Sequence, residues 1–194
     1  MEYDPAEIVR QLKGRRKISK FREGHARARL RTLGKRINYM ETIEQSIEVD
    51  APVSMVYNQW TQFEEFPRFM EGVKSVHQLD DTRMHWHAEI ARKDKEWDAE
   101  IVEQRAHELI MWRSTTGAHN AGEVHFDKTS GGKTKVTLVM TYEPEGIVEN
   151  VGDALGLVSM RVKGDLKRFE KFLDSRRDET GAWRGEIHGG KVES

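Results

Sequence analysis

Cysteine is absent from the 194 residues. That excludes disulfide staples, thiolate metal ligands and a cysteine nucleophile, and it fits a reducing compartment. No apolar run approaches the roughly 20 residues of a membrane-spanning helix. The first residues lack the apolar core of a signal peptide. A cytoplasmic protein is expected, at most peripheral to a membrane. Proline is scarce, at four residues, so few breakers interrupt the regular elements. Also missing are GxSxG, HExxH, a phosphate-cradling glycine loop and the glycine fingerprint for dinucleotides. No cofactor and no metal are expected.

Net charge is nearly absent too, at −1, but the sum hides an asymmetry. Residues 1–40 hold 12 Lys/Arg against 4 Asp/Glu, a net of +8, and the remainder carries −9. This split suggests an interaction arm on a separate body. Asp4, Pro5 and Glu7 punctuate a first short helix. Ala26, Leu30, Leu33 and Ile37 then form an apolar stripe at helical spacing, surrounded by Arg27, Arg29, Arg31, Lys35 and Arg36. A basic amphipathic helix of this kind suits an anionic membrane surface or a nucleic-acid backbone. It suits equally well docking on an acidic protein surface.

The body begins with TIEQSIEV, residues 42–49, which alternates as a half-buried strand does. Asp50 and Pro52 open a short helix whose apolar face is Val53, Val56, Tyr57 and Trp60. An aromatic-rich segment follows, with Phe63, Phe66, Phe69 and Met70, and Gly72 ends it. From residue 73 to 142 the period is two. Met84, Trp86, Ala88 and Ile90 share a face opposite His85, His87 and Glu89. Trp97, Ala99 and Ile101 oppose Glu96, Asp98 and Glu100. LIMWRS, with Trp112, is apolar on both faces. Val124 and Phe126 share a face, as do Val136, Leu138, Met140 and Tyr142. Consecutive strands on short links predict an antiparallel meander with one apolar and one charged face.

After Pro144 and Gly146 the period becomes helical. Val148, Val151, Leu155, Val158, Val162, Leu166, Phe169 and Leu173 recur every three or four residues, predicting one helix over 147–173. Gly152 and Gly156 lie on one flank of it, beside Ser159. They suit either close packing or room for a ligand beneath the helix. Residues 176–194 are polar and are expected to be a flexible tail, with Trp183 as a lone aromatic anchor.

IEQSIEVDAPVSMVYNQWTQFEEFPRFM, EWDAEIVEQRAHELIMWRS, VTLVMTYEPEG and the long helix resemble the START-like (SRPBCC) superfamily. The similarity is to its polyketide cyclase/dehydrase and coenzyme Q-binding branch. The resemblance spans residues 41–175 and implies an α+β helix-grip fold. In that fold a curved antiparallel β-sheet wraps a long C-terminal α-helix and leaves a cavity between them. The implied wall is Trp60, Phe66, Phe69, Trp86, Trp97, Trp112, Phe126, Met140, Tyr142, Leu155 and Ser159. Ordinary core packing accounts for Leu155, and for Val151, at least as well.

The function expected from this resemblance is non-catalytic binding of a hydrophobic small molecule: an isoprenoid quinone, a lipid or a polyketide. An aromatic polyketide cyclase or dehydratase is the alternative. It needs a polar group in the cavity, for which Arg113, Asn120, Tyr142, Ser159 and Asp165 are the candidates. Asp165 is also placed to pair with Arg161 or Arg168. A third reading is an interaction protein whose basic arm contacts RNA, a ribosome or an anionic membrane. His85 and His87, two apart on a strand, could join His107 or His125 at a metal; exposed, unliganded histidines explain them more simply.

Overall fold

The computed structural model describes residues 40–90, 92–143, 151–176, 180–183 and 185–193, with 151–155 described by backbone alone. The chain divides into two compact units, Met1–Asn38 and Tyr39–Ser194, and the described residues belong to the second. The basic arm, with Arg27, Arg29, Arg31, Lys35 and Arg36, lies outside the described residues. So do residues 147–150 of the expected helix and the side chain of Leu155.

Strand β1 (Glu41–Val49) leads into helix α1 (Val53–Trp60) and a 3-10 segment, Phe63–Arg68. Six strands follow: β2 (Val73–Gln78), β3 (Arg83–Ile90), β4 (Lys93–Arg105), β5 (Leu109–Ser114), β6 (Asn120–Lys128) and β7 (Thr134–Tyr142). Helix α2 runs Val151–Asp174. Two short strands, β8 (Glu186–His188) and β9 (Lys191–Glu193), close the order. The main sheet has the order β1-β7-β6-β5-β4-β3-β2, and its pairs are antiparallel. The first strand therefore closes against the last of the meander. Bulges in β2 between Val73 and Ser75 and in β4 between Ile101 and Glu103 add twist. This α+β sheet-and-helix arrangement is the helix-grip fold that the sequence resembles.

Register decides which side chains meet the helix. Ile43 pairs with Met140, Ile47 with Val136 and Val124 with Leu138. Gln45, of the same parity in β1, donates from Nε2 to Ser159 Oγ on α2 at 2.8 Å. That face of the sheet therefore looks at α2. The helix answers with Val162, Leu166, Phe169 and Leu173, all buried and spaced three or four apart.

Polar contacts fix α2 against the turn before β2. Arg161 donates to the carbonyls of Glu71, at 2.6 Å, and Glu89. Arg168 Nε donates to the Phe69 carbonyl at 2.9 Å. Asp165 accepts the Glu71 N–H at 2.8 Å and pairs with Arg168. These contacts converge on Gly72, whose φ is +75° and whose added Cβ would lie 2.7 Å from the Glu89 carbonyl oxygen and run into Arg161. A side chain there is strained in the left-handed region and also unseats the arginine. Gly72→Ala should cost at least about 2 kcal/mol, read as a lower urea midpoint at unchanged slope.

The polar stretch after residue 176 corrects the expectation of a flexible tail. Strand β4 has 13 residues, while β3 pairs with it over Lys93–Glu100. That leaves the backbone of Glu103 and Gln104 free on one edge. β8 fills the edge: Glu103 pairs with His188 and Gln104 with Ile187. Ile187 is completely buried. Trp183 packs on the core and its N–H donates to Thr61 Oγ1 at 3.3 Å, as an anchor would.

The β2–β3 turn gives a pH prediction. Asp80 accepts the N–H of Thr82 first, then the Arg83 guanidinium, and its pKa is lowered to about 2 from 3.8. A folded-state pKa below the unfolded one stabilises above the unfolded value and loses that stabilisation as pH falls. Asp80→Asn should therefore flatten the decline in melting temperature between about pH 4 and pH 2, in a pH series of thermal melts.

Candidate functional site

Alternation sends Trp86, Trp97, Trp112, Phe126, Met140 and Tyr142 to the helix-facing side of the sheet, yet they do not share one environment. Trp60, Phe66, Phe69 and Phe126 are nearly fully buried and meet around Phe169. Ring centroids lie 4.8 Å apart for Trp60–Phe169, 5.1 Å for Phe69–Phe169, 5.2 Å for Phe66–Phe69 and 6.0 Å for Trp60–Phe126. These four, expected on a cavity wall, are packed into the core beside the C-terminal half of α2. Edge-to-face and tilted ring contacts of this kind leave little free volume.

The remaining expected wall residues are half-buried: Trp86, Trp97, Trp112, Met140, Tyr142 and Ser159, with Val158 beside them. Val158 and Ser159 stand in the first half of α2, where Gln45 of β1 reaches Ser159, and Trp86, Trp112, Met140 and Tyr142 pack on the edge of the core. Trp86 and Trp97 are cross-strand partners whose rings stack at 5.6 Å and 10°. Trp86 also touches Phe66 at 5.7 Å and so joins the open end to the packed end. Trp112 rests on Gly122, where an added Cβ would lie 2.6 Å from the indole. Glycine is required there both by the ring and by the Val139 carbonyl oxygen, which an added Cβ would also meet at 2.6 Å.

Polar groups are sparse at this end, and most are spoken for. Trp112 Nε1 donates to Asn120 Oδ1 at 3.2 Å, and Gln45 donates to Ser159. Tyr142 stands between Asn120 and Glu41 in register. Burial first, and the Glu41 carboxylate second, raise its phenol above the ordinary value, so it remains a protonated donor. The Tyr142 hydroxyl and the Trp86 indole nitrogen are inaccessible to solvent and have no hydrogen-bond partner among the described residues. Glu41 itself is buried. Its parity with Ile43 in β1 is the signal in the sequence that places it on the inner face.

Other candidates fall elsewhere. Arg113 is on the face opposite Trp112 and donates to Glu100 at 2.6 Å, so it cannot serve an inner cavity. Asp165 belongs to the α2 contacts; burial raises its pKa, against the Glu71 N–H and Arg168. His85 lies 2.7 Å from Asp98, and His87 3.4 Å from Asp94. Among the described residues no group of three His, Asp or Glu side chains stands together for a metal. An added Cβ at Gly156 meets no described atom within 4 Å, so close packing is not what requires glycine there. Among the described residues no helix is long and apolar enough to cross a membrane.

Residues 49–170 match the family model described as polyketide cyclase / dehydrase and lipid transport. An uncharacterized 17.2 kDa protein of Streptomyces lincolnensis, from the melC2-rnhH intergenic region, is 48% identical over 149 residues, covering 76% of this chain and 99% of that one. Among solved structures, DR_A0006 of Deinococcus radiodurans is 26% identical with a TM-score of 0.55, covering 68% of this chain and 95% of its own. Two more distant structures share the fold. The Zhui aromatase/cyclase of Streptomyces sp. R1128 has a TM-score of 0.61 at 16% identity, covering 75% and 100%. A START superfamily protein of Mycobacterium smegmatis has 0.62 at 12%, covering 69% and 97%. By sequence match over most of its length, this chain belongs to the polyketide cyclase/dehydrase and lipid transport family, and it shares the fold of a START superfamily protein.

Proposed function

We propose that the protein binds a hydrophobic small molecule between the sheet and the first half of α2, without transforming it. The observation that carries this reading is the contrast along the inner face. Aromatic side chains close-pack at one end, while Trp86, Trp97, Trp112, Met140 and Tyr142 are left half-buried at the other. Large apolar side chains that their own chain leaves incompletely covered gain about 25 cal/mol per Å² when a ligand covers them. A ligand pocket is usually such a surface with a few oriented polar atoms.

The polar pairs support binding over catalysis. Gln45–Ser159 and Trp112–Asn120 hold each other, and no triad of nucleophile, base and orienting group is assembled among the described residues. The cyclase reading rests on one observation, the buried Glu41 carboxylate beside the Tyr142 phenol. Turnover of a poly-β-ketone by the wild type and its loss in Tyr142→Phe would favour it.

Native mass spectrometry of the protein isolated from its own host, followed by solvent extraction, tests the binding reading. An apolar adduct is expected. Met140→Glu, which puts a carboxylate on the wall, should release it while circular dichroism still reports the sheet. Absence of any adduct from the wild type, together with no displacement of an apolar fluorophore, would refute the reading.

A further inference from the structure

We infer that the protein pairs with a second copy of itself through the outward face of α2, the two helices running antiparallel about a two-fold axis. This is independent of the ligand-binding reading, because that face looks away from the sheet. Val162, Leu166, Phe169 and Leu173 form the buried side of α2. At 100° per residue the opposite side carries positions 153, 157, 160, 164, 167 and 171, alternately four and three apart. Leu157 and Met160 on this side are each 64% exposed. The other exposed large apolar residues stand apart from one another: Leu79 just after β2, Ile90 at the end of β3 and Val192 in β9. Leu157 and Met160 lie within one turn, so a single neighbour can cover both and remove their apolar area from water.

What identifies the neighbour as a second copy is that the face complements its own reverse. Spacing of four and three is the contact line of paired helices. Along it come an aspartate at position 153, then Leu157 and Met160, then Gly164, then exposed Lys167 and Lys171. In an antiparallel pair, position 153 faces Lys171 of the other copy, Leu157 faces Lys167, and Met160 faces Gly164. Acid meets base at both ends, Leu157 lies along a lysine stem, and the large Met160 side chain sits over a residue without one. Gly164 weakens a helix interior, and its own fold does not require it. The atoms nearest an added Cβ there belong to the flexible Arg168 guanidinium, at 3.3 Å and beyond. A parallel pair would set Lys167 and Lys171 against their own copies, and like charge excludes it. Under two-fold symmetry every contact occurs twice. The contact line is about 27 Å long, less than a standard interface provides, so the expected dimer is weak, with a dissociation constant in the micromolar range. Lysines beside exposed apolar side chains also suit an anionic lipid surface, but the acid at position 153 and the glycine opposite Met160 match a second copy.

Sedimentation velocity of the full-length chain tests this. Between about 1 µM and about 200 µM the protein should pass from monomer to dimer. Leu157→Glu and Met160→Glu change exposed positions, so both should keep the wild-type circular dichroism while weakening association at least about tenfold. Lys171→Glu should weaken it about threefold or more, because symmetry breaks the pair twice. Adding Asp153→Lys to Lys171→Glu reverses the pair and should restore association to within about twofold of the wild type. A monomer at every concentration would overturn the inference. If that monomer floats with phosphatidylglycerol vesicles and Leu157→Glu does not, the face is a lipid contact instead. A dimer that Leu157→Glu and Met160→Glu leave intact uses another surface and overturns the inference as well. So does a double variant that associates no more tightly than Lys171→Glu, since the helices would then not be antiparallel.

Discussion

Replacing Phe169 with alanine should cost about 3–5 kcal/mol, the range for a large aromatic side chain removed from a close-packed core. Phe169 is completely buried and touches both Trp60 and Phe69. Those rings are themselves tied to Phe66, Phe126 and Phe172. The cavity left behind has rigid walls: α1, the 3-10 segment and β6 hold the neighbouring rings from three sides, so little collapse can offset the loss. Urea denaturation monitored by tryptophan fluorescence reads this directly, since Trp60 lies 4.8 Å from the deleted ring. Phe169→Leu, which retains most of the volume, should recover more than half of the loss. Equal losses for Ala and Leu would mean that the ring contacts, not the filled volume, stabilise the core.

Deleting residues 177–194 should lower the melting temperature by about 10 °C or more. Three losses combine. Ile187 leaves a site where it is fully buried, worth about 2–5 kcal/mol on the scale of large-to-small core changes. The backbone of Glu103 and Gln104 loses its β8 partner, and Trp183 leaves the core and its bond to Thr61. At about 2–4 °C per kcal/mol for a chain of this size, the sum exceeds 10 °C. Ile187→Ala alone should account for a third to a half of the effect. A truncated chain that melts with the full-length protein would show that the hairpin rests on the sheet without stabilising it.

The buried hydrogen bond between Gln104 and Tyr57 belongs to the same region. Gln104 Nε2 donates to the Tyr57 hydroxyl at 2.8 Å. Burial raises the phenol pKa, while the Gln104 bond works against it. Ile187 is the strand partner of Gln104, so truncation removes the backbone neighbour of this pair.

The elements of the sheet and the helix were legible in the sequence because each is written in a local period. TIEQSIEV, EWDAEIVEQ and KTKVTLVMTY alternate, and residues 158–173 repeat every three or four. A period of two or 3.6 needs no knowledge of neighbours. The inward parity of Trp86, Trp97, Phe126 and Met140 followed from the same alternation, and the register of β3 with β4 and of β6 with β7 agrees with it. The hairpin at 186–193 was not legible. Its strands have three residues each, too short for any period.

What the sequence determined by itself, then, was the set of elements from β1 to α2, their order and the side of the sheet on which their side chains stand. Tertiary structure alone decided which inward aromatics are core and which remain half-covered. Phe126 and Trp112 obey the same alternation; they differ because Phe126 meets Trp60 in the packed core while Trp112 lies on Gly122 only partly covered, and lateral position across a sheet has no trace in the period of one strand. The tail was decided in the same way. β4 outruns β3 by the residues that β8 covers, and a free backbone edge is a property of two strands compared, not of either sequence read alone.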